Sequence, residues 1–172
     1  MVRDILGVLS QVARLFSRKG YNIESIVTGE ADKPGVHRIT IVILADELMI
    51  HQIAAQCRKL IPVMSVKILD EKTSIQREFA LIKVKAEDRN VRDEVIQMSN
   101  IFRANIIDVS RDTLTVAIFG DKSKTSALIE MLEDFGILEI AKTGTLAIER
   151  GRSNIYDDNQ LKEEYNYGKN VL

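Results

Sequence analysis

Few side chains in this sequence are suited to catalysis: two histidines, His37 and His51, and one cysteine, Cys57. His37 opens a β-branched run and His51 stands in a helix-patterned one. Nothing in their surroundings marks a shared general-base or metal site. Cys57 falls on the apolar stripe of its helix pattern and reads as a core residue. A single cysteine excludes an internal disulfide and a multi-cysteine metal site. Ser10 lacks the G-x-S-x-G surroundings of a nucleophile elbow. Neither a Walker A sequence nor a G-x-G-x-x-G loop occurs. Asp157, Asp158, Glu163 and Glu164 read as a solvated acidic tail rather than a cation site. No catalytic residue, no metal site and no cofactor of the chain's own is therefore expected.

One stretch carries binding chemistry, Asp4 to Ser10. Gly7 and the residues after it open a helix, whose first turn has free backbone N–H groups and the positive end of the helix dipole. A carboxylate can bind there. Asp4, just before it, can receive an ammonium group, so the stretch matches the two charged ends of a free amino acid. Ile5, Leu6, Val8 and Ile23 offer an apolar lining. The plainer reading of Gly7 is a glycine needed only for its dihedral freedom. That of Asn22 is a strand-start residue bonding its own backbone.

The composition suits an ordinary globular chain: 45% hydrophobic and 28% charged over 172 residues. Aromatics are only 5% and Trp is absent, so the core must be built from Ile, Val and Leu, a bias towards strands. The formal charge of -1 argues against a nucleic-acid partner. No run approaches the length of a membrane span, and MVRDILGVLSQ lacks a signal-peptide core. A reducing cytoplasm and no membrane association are expected.

These residues need elements to hold them, and the apolar spacing supplies two similar sets. Val8, Leu9, Val12, Leu15 and Phe16 recur three and four apart, and Gly20 stands where a helix C-cap belongs. Tyr21–Thr28 reads as a strand, Asp32-Lys33-Pro34-Gly35 as a turn, and Val36–Leu44 as a strand with Ile39, Ile41 and Ile43 on one face. Asp46 caps a helix carrying Leu48, Met49, Ile53, Cys57 and Leu60. Val63–Leu69 is predicted to be a further strand. The second set runs from a strand over Phe79–Ala86 to a helix over Asn90–Phe102 carrying Val91, Val95 and Met98. The strands Ala104–Ser110 and Leu114–Gly120 follow, joined at Arg111-Asp112. A helix over Lys122–Phe135 carries Leu128, Met131 and Leu132, and Ile137–Glu149 is extended, broken at Gly144.

Each half thus reads as βαββαβ, giving an α+β chain of two ferredoxin-like units. Leu15-Phe16 before Asn22-Ile23 matches Ile101-Phe102 before Asn105-Ile106, in support of a repeat. The expected boundaries are 1–70 and 77–151, with Asp70–Gln76 as a polar linker and 152–172 as a flexible tail or short docking helix. One defect is visible. The first strand, central in such a unit, has only Met1–Asp4 available: either the start lies downstream of the natural one, or the strand is short and something else covers the gap.

Gly7-Val8-Leu9 followed by Leu15-Phe16-Ser17-Arg18-Lys19-Gly20-Tyr21-Asn22-Ile23-Glu24-Ser25 resembles the opening motif of acetohydroxyacid synthase (acetolactate synthase) regulatory small subunits. Ile101–Val109 and Thr143-Gly144 extend the likeness, which spans about residues 2–151. The resemblance implies an N-terminal ACT domain, a C-terminal ACT-like domain and a homodimer through the N-terminal sheets. It implies a branched-chain amino-acid effector, valine foremost, at the dimer interface. It also implies activation and feedback inhibition of a separate catalytic subunit, to which thiamine diphosphate, Mg²⁺ and FAD would belong. The effector residues carry over to Asp4, Gly7, Val8 and Ser10, with Asn22 and Ile23 facing them from the second protomer. Two positions depart from the family. Asp4 stands where Asn is frequent, which keeps the acceptor and loses the amide donor. Leu6 stands where many members have proline.

Two other classes share this element order. Another amino-acid-sensing ACT regulator differs only in its ligand and partner. An RNA-binding module would need stacking aromatics on its central strands. Val36–Leu44 and Leu114–Gly120 offer aliphatics and a single Phe119.

Overall fold

The computed structural model describes residues 1–157; the expected tail beyond Asp157, with Asp158, Glu163 and Glu164, lies outside them. The chain forms two compact units, Met1–Ile75 together with the described residues from Ala147 on, and Gln76–Leu146. Both are α+β, each built on the ferredoxin-like order.

In the first unit β1 (Val2–Arg3) leads to α1 (Val8–Lys19), β2 (Ile23–Glu30), β3 (Val36–Ile43) and α2 (Glu47–Arg58). The sheet order is β1-β3-β2, all antiparallel. Helix α1 forms where Val8, Val12, Leu15 and Phe16 share one buried face. It stops at Gly20, whose φ of +71° turns the chain out of the helix. In α2 the Asp46 carboxylate accepts from the Met49 N–H, as its position before the apolar run required. Val12, Leu15, Phe16, Ile53 and Cys57 form the core between the helices and sheet, with Ile39, Ile41 and Ile43 packed against them.

The strand expected over Val63–Leu69 does not form. Its one sheet contact is a bridge from Val63 to Val2. The reason is the brevity of β1, because a strand needs a neighbour's N–H and C=O groups along its length. Met64 N–H donates to Met1 O, the Met1 ammonium donates to Ser65 O, and the ladder goes no further.

The second unit contains β4 (Ser74–Lys85), α3 (Arg89–Ile101), β5 (Asn105–Val109), β6 (Thr113–Gly120), α4 (Lys122–Glu133) and β7 (Ile137–Lys142), followed by β8 (Leu146–Glu149). The order β5-β6-β4-β7 is the complete split βαβ sheet, with β8 pairing β4 outside that path. Ala80, Ile82, Val84, Val95, Val116, Leu128 and Leu132 have no exposed surface. Three expectations need correction. Ser74–Gln76 is strand rather than linker, and Ser74 is buried. Met131 is exposed, because Thr125, Leu128 and Leu132 make the buried stripe of α4, with the Thr125 hydroxyl satisfied by Asp121 O. And β4 is a central strand carrying Phe79 directly opposite Phe119, so the central strands bear two adjacent aromatics, not one.

Candidate functional site

The loop between β1 and α1 is held by short backbone bonds. Asp4 N–H donates to Gly35 O at 2.8 Å, which ties the loop to the turn between β2 and β3. Val8 N–H donates to Ile5 O at 3.2 Å, and Gln11 N–H donates to Gly7 O at 3.0 Å. Between these, the N–H groups of Leu9 and Ser10 have no acceptor among the described residues. Gly7 directs them outward, since its φ of +82° turns the chain sharply into the helix. A Cβ built on Gly7 would meet nothing within 4 Å, so the ground before the helix is open.

The Asp4 carboxylate is exposed and lies 3.6 Å from Nε2 of His37. Ser10 is exposed on the first turn of α1, and Ile5 and Leu6 present apolar side chains to solvent beside it. The loop and the first turn of α1 therefore present an exposed carboxylate, two N–H donors without an acceptor among the described residues, a hydroxyl and two apolar side chains.

The other expected residues lie elsewhere. Val8 turns its side chain into the core with Val2 and Val63, and its N–H is already bonded to Ile5 O, so it offers no lining. Ile23 packs against the core between α1 and α2. Asn22 is exposed beyond the other end of α1, which at 12 residues is about 18 Å long. Within one chain Asn22 and Ile23 do not meet the loop.

His51 is exposed on α2, remote in role from His37 on β3. Cys57 is buried, and burial pushes its thiol up from the ordinary 9.0, which leaves it a poor nucleophile. No cluster of three or more His, Cys, Asp or Glu side chains occurs among the described residues. No helix among them is long and apolar enough to cross a membrane. Phe79 and Phe119 share a face with Lys83, but the Lys83 ammonium lies 3.3 Å from Glu139 and is not free for phosphate.

A second feature escaped the sequence reading. Arg152–Tyr156 do not leave the first unit; with Ile148 and Glu149 they line a cleft of about 480 Å³ against Met1, Asp32, Arg38, Lys67 and Leu69. This segment lies beside Met1, just before β1 begins. Arg38 donates to Ala147 O at 2.6 Å, Lys67 pairs with Glu149, and Lys67 donates to Asn154 O at 3.1 Å. The Tyr156 hydroxyl donates to Asp32, with the Lys33 ammonium 4.1 Å from the ring centroid. The hydrogen bond to Asp32, then burial and that carboxylate's charge, raise the Tyr156 phenol above its usual 10.0. The sequence clue was an aromatic and an isoleucine inside an otherwise polar segment.

Residues 77–151 match a family model described as the small subunit of acetolactate synthase, and residues 1–65 one described as an AHAS small subunit-like ACT domain. The acetolactate synthase small subunit of Mycobacterium bovis is 46% identical over 155 residues, 90% of this chain and 92% of its own. The chain belongs to the acetolactate synthase small-subunit family. Another member, from Aquifex aeolicus, is 42% identical over 96% of this chain and 82% of its own length. The crystal structure of the small subunit from Thermotoga maritima superposes with a TM-score of 0.81 at 41% identity, covering 88% of this chain and 94% of that one.

Proposed function

We propose that this chain is the regulatory subunit of an acetohydroxyacid synthase, that it works as a homodimer, and that it binds a branched-chain amino acid, valine foremost, at the loop Asp4–Ser10. The partner is a separate catalytic subunit, which supplies the thiamine diphosphate, Mg²⁺ and FAD. What supports the effector site is an exposed Asp4 carboxylate followed closely along the chain by the Leu9 and Ser10 N–H groups, which have no acceptor among the described residues. A free amino acid presents an ammonium and a carboxylate on the same α-carbon. The helix start takes the carboxylate, helped by the dipole, and Asp4 takes the ammonium. Ile5 and Leu6, exposed in one protomer, suit an aliphatic side chain. Asn22 and Ile23 would reach this loop only from a second protomer.

In this reading the subunit performs no chemistry. Effector binding biases the conformation of the assembly, and the differential affinity for its two states sets the extent of inhibition. Reconstitution tests the proposal. Alone, with pyruvate and all three cofactors, the chain should form no acetolactate. Added to the catalytic subunit it should raise activity, and valine should then lower it. Product from the chain alone, or a catalytic subunit indifferent to it, overturns the reading.

A further inference from the structure

The turn between β2 and β3 touches two functional segments at once. It is closed by Ala31 N–H to Val36 O at 2.9 Å and Val36 N–H to Lys33 O at 3.1 Å. On one side Gly35 O accepts from Asp4 N–H, and His37, just past the turn, faces the Asp4 carboxylate. On the other side Asp32 and Lys33 hold Tyr156 by a hydrogen bond and a cation–π contact. Tyr156 is itself held by local bonds. Its N–H donates to the Asn154 side chain at 2.8 Å, and Asn154 N–H donates to the Asp157 carboxylate at 2.6 Å. Arg38 and Lys67 fix the same segment further back, at Ala147, Glu149 and Asn154.

The segment Ala147–Asp157 is thus a strap: it packs in the first unit, yet the covalent chain leads directly back through β8 into the second. We propose that Tyr156 is the positioning residue that couples the effector loop to the rest of the subunit, through the turn Ala31–Val36 that the loop and the strap share. The inference rests on the effector site proposed above. A ligand ammonium competes with His37 for the Asp4 carboxylate. Drawing Asp4 towards the ligand pulls on Gly35, which belongs to the same turn as Asp32 and Lys33. The grip on Tyr156 then changes with occupancy. Coupling of this kind is reciprocal, so loosening the strap must also change how occupancy of the loop is felt elsewhere.

The test uses the full chain with its catalytic subunit and compares wild type, Tyr156→Ala and Tyr156→Phe. Valine binding is read by calorimetry, inhibition by activity, and folding by thermal melting. Tyr156→Ala should still bind valine within a few-fold of wild type and still activate, while the valine concentration for half inhibition rises about tenfold or more. Tyr156→Phe keeps the ring over Lys33 and loses the bond to Asp32, so it should fall between the two. Hydrogen exchange over residues 147–157 should change on valine addition in the wild type and much less in Tyr156→Ala. Inhibition of both variants at the wild-type concentration overturns the coupling. So does loss of activation together with inhibition in a variant that melts normally, which would make Tyr156 part of the docking surface. Failure of the wild-type chain to bind valine, leucine or isoleucine is a different result: it removes the effector site on which the coupling depends.

Discussion

Gly7 shows how one backbone angle serves both fold and site. Its φ of +82° lies where an L side chain costs roughly 1 kcal/mol, so the glycine is required by the turn itself. The open space around it means that substitution brings that strain and no clash. Gly7→Ala and Gly7→Asp should therefore both melt a few degrees low. They should differ in function. A carboxylate at Gly7 would sit before the Leu9 and Ser10 N–H groups and repel the ligand's own charge, so Gly7→Asp should abolish valine inhibition. Gly7→Ala adds no charge and should retain it. Normal inhibition of a folded Gly7→Asp variant would count against the placement of the carboxylate. The residue type was legible as a helix-start glycine; whether it was there for backbone freedom or ligand approach was not. The dihedral shows that the first reason holds, and the second now depends on this comparison.

At the scale of elements, Asp46 caps α2 as the sequence indicated, and two further aspartates not singled out from the sequence do the same for α3 and α4. Asp46, Asp88 and Asp121 each precede a helix and accept a backbone N–H from its first turn. Asp121 is the one to test. The Lys124 N–H, then the Ser123 hydroxyl, hold its carboxyl below the ordinary 3.8. A depressed folded-state value means that the cap's contribution is complete above 3.8 and disappears as pH falls through the lower, folded-state value. Asp121→Ala should destabilise the second unit by about 1 kcal/mol near neutrality. The gap from wild type should shrink well below pH 3.8, as urea melts at the two conditions would show. A gap that stays constant would mean that the carboxylate charge is not what caps α4. The helix ends are less uniform. Gly20 turns out of α1 at φ +71°, whereas at the corresponding end of α3 Arg103 adopts +52° without being glycine. Ala104 N–H closes that end onto Ser99 O at 2.8 Å. No local pattern marked Arg103, because its conformation is imposed by the bond that follows it and by the start of β5.

For the whole molecule, the first unit leaves surface that a second copy can cover. β2 is the outer strand of its sheet, and Ile26 on it is exposed, as are Ile5 and Leu6 at the loop. An open edge with apolar side chains favours strand pairing with another chain. Light scattering should give about twice the chain mass at micromolar concentration. Ile26→Lys, which places a charge on that edge, should shift the population towards monomer and weaken valine binding with it, because Asn22 and Ile23 would no longer be supplied. A wild-type monomer that binds valine fully would contradict the shared site.

Periodicity within the sequence determined the helices, their caps and most strands of both units. Such features depend on residues three or four apart sharing a helix face, or two apart sharing a strand face. The motif from Leu15 to Ser25 determined the family for the same reason: it is contiguous. What tertiary structure alone decided involves partners distant along the chain. Val63–Leu69 has strand-forming residues but no ladder, because that depends on how far β1 extends on the neighbouring path. The return of residues 147–157 to the first unit depends on Arg38 and Lys67, whose acceptors Ala147 O and Asn154 O lie 109 and 87 residues away along the chain. Tyr156 meets Asp32 across 124 residues of sequence, and no window of local pattern spans that distance.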